Sequence, residues 1–201
     1  ILTALFRAMF EISKPPYGTP MDIPLTIDLR KFLPDKKAEA IRNLSSGVVM
    51  RLDRKPHETF EETLSRVVAI TTKVKKGRPS IRGLKWGEFI ETMNFHQVCA
   101  FFEAESKFIN MISQSPINVF DKCCPILSNF GFISKSLINF GENVVSDAYI
   151  IPPVVRAPGI LLVASTYNDV ITLGVGYYKA SIQKSHMEGL LAKIRDELVE
   201  G

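Results

Sequence analysis

Apolar residues open the chain at helical spacing. Ile1, Leu2, Leu5, Phe6, Met9 and Phe10 fall on one stripe, which reads as a helix already under way at the first residue. Lys14-Pro15-Pro16-Tyr17-Gly18 ends it, because proline has no amide hydrogen and its ring clashes with the preceding turn. Residues 23–29 alternate apolar and polar and predict a half-buried strand, with Pro24 placing it at a strand start or a sheet edge. Residues 35–42 are polar, with room for one helical turn, and residues 46–53 predict a second strand rich in β-branched side chains.

Thr59 and Glu62 have the spacing of a capping box, in which hydroxyl and carboxylate each satisfy a free amide of the first helical turn. Phe60, Leu64, Val67, Val68 and Thr71 follow as the buried stripe. Lys73, Lys75 and Lys76 before Gly77 and Pro79 mark a helix C-terminus, where cations meet the negative dipole end. Residues 80–115 predict two more helices, the second carrying Phe95, Val98, Cys99, Phe101, Phe102, Phe108, Ile109 and Ile112.

Beyond Pro116 the pattern turns to strands: 124–131 running into a turn, then 148–155, then 159–167 and 170–178. Asn168-Asp169 between the last two tolerates positive φ and predicts a tight hairpin. Ser181 is placed to cap a final helix carrying Met187, Leu190, Leu191, Ile194 and Leu198. Interleaved helices and strands with one antiparallel hairpin predict an α/β fold. Its mixed sheet should have five or six strands, with the long helices packed on one face.

Composition adds limits. In 201 residues, 46% are hydrophobic and 23% charged, as in a folded globular chain. Twenty-five basic against 21 acidic residues leave +4, too small a surplus to make nucleic acid the expected partner. No apolar run reaches the length of a membrane span, since 160–176 is interrupted from Ser165 to Asp169. Three cysteines, with Cys123 and Cys124 adjacent, are no disulfide framework and fit a reducing, cytoplasmic setting. The mid-helix opening without methionine reads as a piece of a longer protein.

Little of the polar chemistry is sharp. His57, His96 and His186 are far apart, so no metal site is expected. His96 and Cys99 share a helix face, but a buried thiol beside an exposed histidine explains them better than a nucleophile pair. Gly174-x-Gly176 lies inside a strand and lacks the third glycine of a dinucleotide fingerprint, so close approach of a neighbour accounts for it. Lys73, Lys75, Lys76, Arg78, Arg82 and Lys85 form a basic run, a solvated helix end that could also receive phosphates. Ser128-Asn129-Phe130-Gly131 ends a buried strand, where either a ligand site or a turn with Asn129 bonding its own backbone can be built.

Read in order, these segments resemble the carboxy-terminal half of the chloramphenicol-acetyltransferase-like superfamily. That group includes peptide-synthetase condensation domains, polyketide-associated acyltransferases, wax-ester synthases and alcohol acetyltransferases. The opening helix resembles the one after the family's N-D-x-x-x-A segment. Residues 23–34 resemble V-x-V-D-L-R-x-x-L, and residues 42–52 resemble F-V-N-T-L-P-L-R. The helix from Thr59 resembles S-F-R-E-L-L, Ser128-Asn129-Phe130-Gly131 resembles S-N-x-G, and residues 158–173 resemble the Y-N-G-x-L-x-L hairpin.

The resemblance implies a CoA-dependent acyltransferase-like fold, with residues 1–201 as a single C-terminal lobe. It implies a partner in an N-terminal lobe carrying His-His-x-x-x-Asp, whose second histidine is general base. The chain has no His-His and supplies no catalytic residue of that kind. The donor implied is acyl-CoA or a phosphopantetheine thioester, with no covalently bound cofactor, and the acceptor an alcohol or amine. Ser128, Asn129 and Gly131 would line the substrate channel and Arg30 would have a structural or carrier-facing role, while Lys76 and Arg78 belong to the basic run that could receive a carrier's phosphates. The alternative is a non-catalytic binding or interaction domain of the same fold.

Overall fold

A computed structural model describes residues 1–33, 44–76, 89, 92–112, 125–138, 140–155 and 159–201. Helix α1 spans Leu2–Ser13, strand β1 Pro20–Asp28, β2 Ser45–Asp53 and α2 Phe60–Lys76. They are followed by α3 (Phe95–Ile112), β3 (Pro125–Phe132), β4 (Ile160–Tyr167), β5 (Val170–Tyr177) and α4 (Lys184–Glu200). The five strands form one mixed sheet in the order β2-β1-β3-β4-β5. The two outer pairs, β1/β2 and β4/β5, are antiparallel, while β1, β3 and β4 run parallel. The fold class is therefore the α/β mixed sheet that the pattern predicts. The 35–42 turn, the first of the two helices predicted over 80–115, and Cys123 and Cys124 lie outside the described residues.

One face of the sheet meets α1, α2 and α4. Ile23 of β1, Met50 and Leu52 of β2, Leu127 of β3 and Ile160 and Leu162 of β4 all join one buried cluster. From the helices come Leu5, Phe6 and Met9, Val67, and Met187, Leu190 and Ile194. α1 is buried nearly all round because it packs against both other helices and shares one cluster with the sheet. Its C-cap, Lys14, takes the left-handed conformation (φ 46°), and the prolines then turn the chain into β1. Charges clamp the layer from outside. Arg7 pairs with Glu197 and donates to the Glu58 carbonyl at 2.9 Å, while Lys193 pairs with Glu11.

The predicted capping box forms, with Thr59 N–H donating to Glu62 Oε2 at 2.8 Å and Glu62 N–H to Thr59 Oγ1 at 3.2 Å. The stripe it opens differs from expectation. Thr63 and Val67 are buried and Phe60, Ile70 and Val74 are partly so, whereas Leu64 and Val68 are exposed. Two neighbouring stripes were both apolar. Thr63 bonding Thr59 O, and Arg66 bonding Asp53 and Glu58, rotate the helix onto the first.

Three further expectations are corrected. Pro24 sits inside β1, opposite Val49, and not at a start or an edge. β1 and β3 register at Leu25–Leu127, and so short a junction asks few donors of β1. Residues 148–155 form no strand, because Pro152 and Pro153 remove ladder donors. They instead form a strap over the face of β4/β5 turned away from the helices. Tyr167 Oη donates to Val145 O at 2.8 Å, and Ile150 N–H donates to Ser165 Oγ at 3.3 Å. Ser181 does not cap α4: its N–H and that of Ile182 both bond Tyr178 O, Ile182 is drawn into the core, and the helix starts at Lys184.

Asn168 and Asp169 both have positive φ (48° and 62°), the signature of the type I′ turn that matches strand twist. Gly174 and Gly176 are explained by the strap. A Cβ on Gly174 would lie 2.9 Å from Pro152 Cδ, and one on Gly176 would overlap the Pro153 carbonyl oxygen. We therefore expect Gly176→Ala to destabilise the chain by about 1–3 kcal/mol through forced displacement of backbone. Denaturant midpoints check this, and a midpoint equal to wild type contradicts the close approach of strap and strand.

Candidate functional site

Parallel alignment of β1, β3 and β4 brings their carboxyl ends to one edge of the sheet. Loops at that edge are where open α/β sheets build ligand sites. Two sequence candidates meet this edge: Asn129 near the end of β3, and Arg30 in the 3₁₀ turn Leu29–Phe32 that follows β1.

Ser128 is buried, and its Oγ lies 2.7 Å from Thr26 Oγ1 on β1. This hydroxyl pair ties the two parallel strands together on the face opposite the helices. One residue on, Asn129 is exposed, and its Oδ1 accepts the Gly131 N–H at 2.9 Å. The bond fixes the side-chain amide with Nδ2 as its remaining donor. Gly131 has φ +67° with open space around its Cβ position, so backbone conformation alone explains the glycine. β3 does not stop in a turn here. It passes through a bulge between Asn129 and Phe132 and continues beside β4, with Ile133 N–H donating to Thr166 O.

Arg30 is exposed. Its Nη1 lies 3.2 Å from Asp28 Oδ1, and that same oxygen accepts the Arg30 N–H at 2.9 Å. Lys76 is exposed at the last position of α2, beside Lys73 and Lys75. Arg78 lies outside the described residues. The structure thus brings Ser128, Asn129 and Gly131 together, places Arg30 at the same sheet edge, and sets Lys76 on a separate helix.

The three histidines stand on separate elements. His57 is exposed in a loop at φ 54°, and His96 is exposed with its ring edge-on to Phe95. His186 is exposed in the first turn of α4, and Cys99 is a free, half-buried thiol. Among the described residues, no group of three His, Cys, Asp or Glu side chains could hold a metal ion. No helix described is long and apolar enough to cross a membrane. A cleft of about 500 Å³ between α1, α2 and α4 is lined by Arg7, Glu11, Phe60, Glu61, Lys193 and Glu197. It holds none of the sequence candidates, and four of its charges pair with one another.

Three residues of this edge were not anticipated. Thr26 bonds Ser128 across strands 102 residues apart in sequence, a pairing no local pattern marks. Phe132 and Ile171 are 80% and 53% exposed, although strand patterning gives apolar residues no reason to face water. Gly131 is the one local signal that the strand would bend.

No protein-family model and no curated protein matches the sequence. Solved structures do match in fold. The epimerization domain from the third module of tyrocidine synthetase B superposes with a TM-score of 0.55 at 15% identity, covering 99% of this chain and 40% of that one. Polyketide synthase associated protein 5 from Mycobacterium tuberculosis gives 0.50 at 12% identity, covering 100% and 44%. A structure described as the molecular basis for condensation domain-mediated chain release from the enacyloxin polyketide synthase gives 0.50 at 13%, covering 98% and 35%. The chain therefore shares its fold with part of these epimerization and condensation domain structures. It spans about two-fifths of the length of the chains it matches.

The bulge gives a direct test of the site's geometry. Gly131→Ala should cost about 1 kcal/mol through the left-handed conformation alone, and Gly131→Asn less, because asparagine tolerates it. Thermal unfolding compares the two, and equal losses would show that something other than φ governs the position.

Proposed function

We propose that the chain is the C-terminal lobe of an acyltransferase that moves an acyl group from a thioester to an alcohol or amine. The observation that carries the reading is Asn129: an exposed amide, its oxygen engaged by Gly131 and its nitrogen left to donate, at the carboxyl edge of a parallel strand set. The likeness to condensation and epimerization domains supports the fold part of this reading.

In the reaction, the acceptor O–H or N–H gives its proton to a base as the new bond to the acyl carbon forms. The thioester C–S bond then breaks, and the thiolate leaves to take up a proton. Asn129 Nδ2 donates to the carbonyl oxygen as negative charge develops on it. Ser128, held by Thr26, fixes the strand beneath Asn129, and Gly131 sets the bulge that turns it outward. Arg30, exposed at the same sheet edge, meets the phosphates of acyl-CoA or of a phosphopantetheine carrier. The donor is a substrate, and no cofactor is bound covalently. The base comes from an N-terminal lobe, because the three histidines of this chain stand on separate elements.

A second reading, a binding or interaction domain of the same fold, draws support from that same lack of a His-His pair. A His-His-x-x-x-Asp sequence upstream of Ile1 in the full-length polypeptide favours the enzyme, and its absence the binding domain.

Two outcomes are expected. The 201-residue chain alone should give no acyl transfer from acyl-CoA, since a general base contributes about two to four orders of magnitude. Turnover by the chain alone, lost on replacing one of its own histidines, contradicts the assignment. In the full-length protein, Asn129→Asp keeps the acceptor for Gly131 N–H but removes the amide donor. We expect kcat to fall about 100-fold with the melting temperature near wild type. An undiminished rate retires Asn129 as a site residue.

A further inference from the structure

Strand β2 is an outer strand of the sheet, paired with β1 in an unbroken register from Ser45 to Asp53. Leu29 N–H donates to Leu44 O at 2.8 Å, and Arg54 N–H donates to Thr19 O at 3.3 Å. Bonding alternates along an antiparallel pair, and these two bonds fix its phase. Ser46, Val48, Met50 and Leu52 therefore turn their N–H and C=O toward β1, and the odd-numbered residues of β2 turn theirs outward. At one end of that outer row, Asp53 O accepts from Arg66 at 3.2 Å. The outward N–H and C=O of Gly47, Val49 and Arg51 meet no partner among the described residues. Sheet edges that natural proteins leave open are short, bulged or guarded by inward-pointing charge. β2 is long and regular, Val49 at its centre is 56% exposed, and Arg51 is paired with Asp22 at 2.6 Å.

The helix above this edge carries free charge of one sign. α2 packs on β2 and on α1, so it is the outermost helix of its layer. Its Arg66 reaches the outer row at Asp53, so the side of α2 that bears Arg66 overhangs the edge. Lys73 follows seven residues later, two helical turns on along that side, and Lys76 is nearly one turn further. The short turn after Asp53 sends α2 back over β2, and Val74 still packs on the core that holds Met50 and Val48. Lys73 and Lys76 lie about 10 and 15 Å beyond Arg66 along the helix, which matches the roughly 13 Å from Asp53 to Val49 along the strand. Both lysines are exposed, and neither joins an ion pair among the described residues. A second copy paired about Val49 would bring its own Lys73 and Lys76 against these two. An acidic strand is the complement.

We propose that β2 receives an extended acidic segment of a partner protein as a sixth, antiparallel strand. The segment alternates. Its carboxylates lie on the helix-side face beneath Lys73 and Lys76, and its β-branched residues lie on the other face beside Val49. Its backbone bonds the outward groups of Gly47, Val49 and Arg51, and antiparallel pairing is the more stable arrangement per residue. Main-chain bonds supply the affinity, and the alternate side chains supply the selection. The proposal does not rest on the acyl-transfer reading.

The test is fluorescence anisotropy of a labelled eight-residue peptide of alternating Glu and Val with the full-length protein. Saturable binding that weakens with salt is expected. Val49→Pro removes one outward N–H and leaves the bonds to β1 in place, because proline is tolerated where an edge N–H faces solvent. It should weaken binding about tenfold, with the melting temperature near wild type. The same peptide N-methylated on its valines, whose amides face β2 in this pairing, tests strand addition without altering the protein and should also bind about tenfold more weakly. Replacing both Lys73→Glu and Lys76→Glu should lose the acidic peptide and gain the corresponding peptide of alternating Lys and Val. Absence of saturable binding by the acidic peptide overturns the proposal. Binding that N-methylation leaves unchanged overturns strand addition, and equal binding of the two peptides by the wild type overturns charge selection. Concentration-dependent self-association abolished by Val49→Pro assigns the edge to a second copy and overturns the acidic partner.

Discussion

The structure hangs on the junction between β1 and β3. On one side stands the antiparallel β1/β2 pair and on the other the strands β3, β4 and β5. The two meet in parallel, registered at Leu25–Leu127. So short a ladder gives few backbone hydrogen bonds, and two other contacts reinforce it. On one face, Ile23 and Leu127 share a cluster with Leu5, Phe6 and Met9, so α1 bridges both halves of the sheet. On the other, Thr26 and Ser128 share a hydroxyl bond. The same junction fixes the direction of β3 and therefore the edge at which Asn129 emerges.

Much of this architecture was legible because it is written locally. The Asn168-Asp169 turn, the Thr59–Glu62 cap, the end of α1 at Lys14 and the apolar stripe of α4 each depend on a few adjacent residues. The failures were of another kind. Choosing between two apolar stripes on α2 needed Arg66 and its partners at Asp53 and Glu58. Residues 148–155 have the β-branched content of a strand, but Pro152 and Pro153 remove the donors a ladder needs. Those prolines lie against Gly174 and Gly176, a contact between separate segments that no local pattern marks.

The site shows the same division. Ser128, Asn129 and Gly131 are near neighbours in sequence, and the turn bond of that unit is made by the Asn129 amide oxygen, which leaves the nitrogen as a donor. Sequence could not reveal the bulge, since it is defined by the pairing of β3 with β4. Arg30 and Lys76 stand on different elements, and Arg30 already has a carboxylate beside it.

The chain offers a side-chain amide at a strand edge, its oxygen held by the Gly131 N–H, and its histidines stand on other elements. A rigid donor suits transition-state stabilisation because it needs no reorganisation when charge develops. The most direct measurement is a crystal structure of the full-length protein with a non-hydrolysable acyl thioester analogue. The account predicts Asn129 Nδ2 within about 3.2 Å of the analogue's carbonyl oxygen. A carbonyl held by donors elsewhere, with Asn129 turned to solvent, would contradict it.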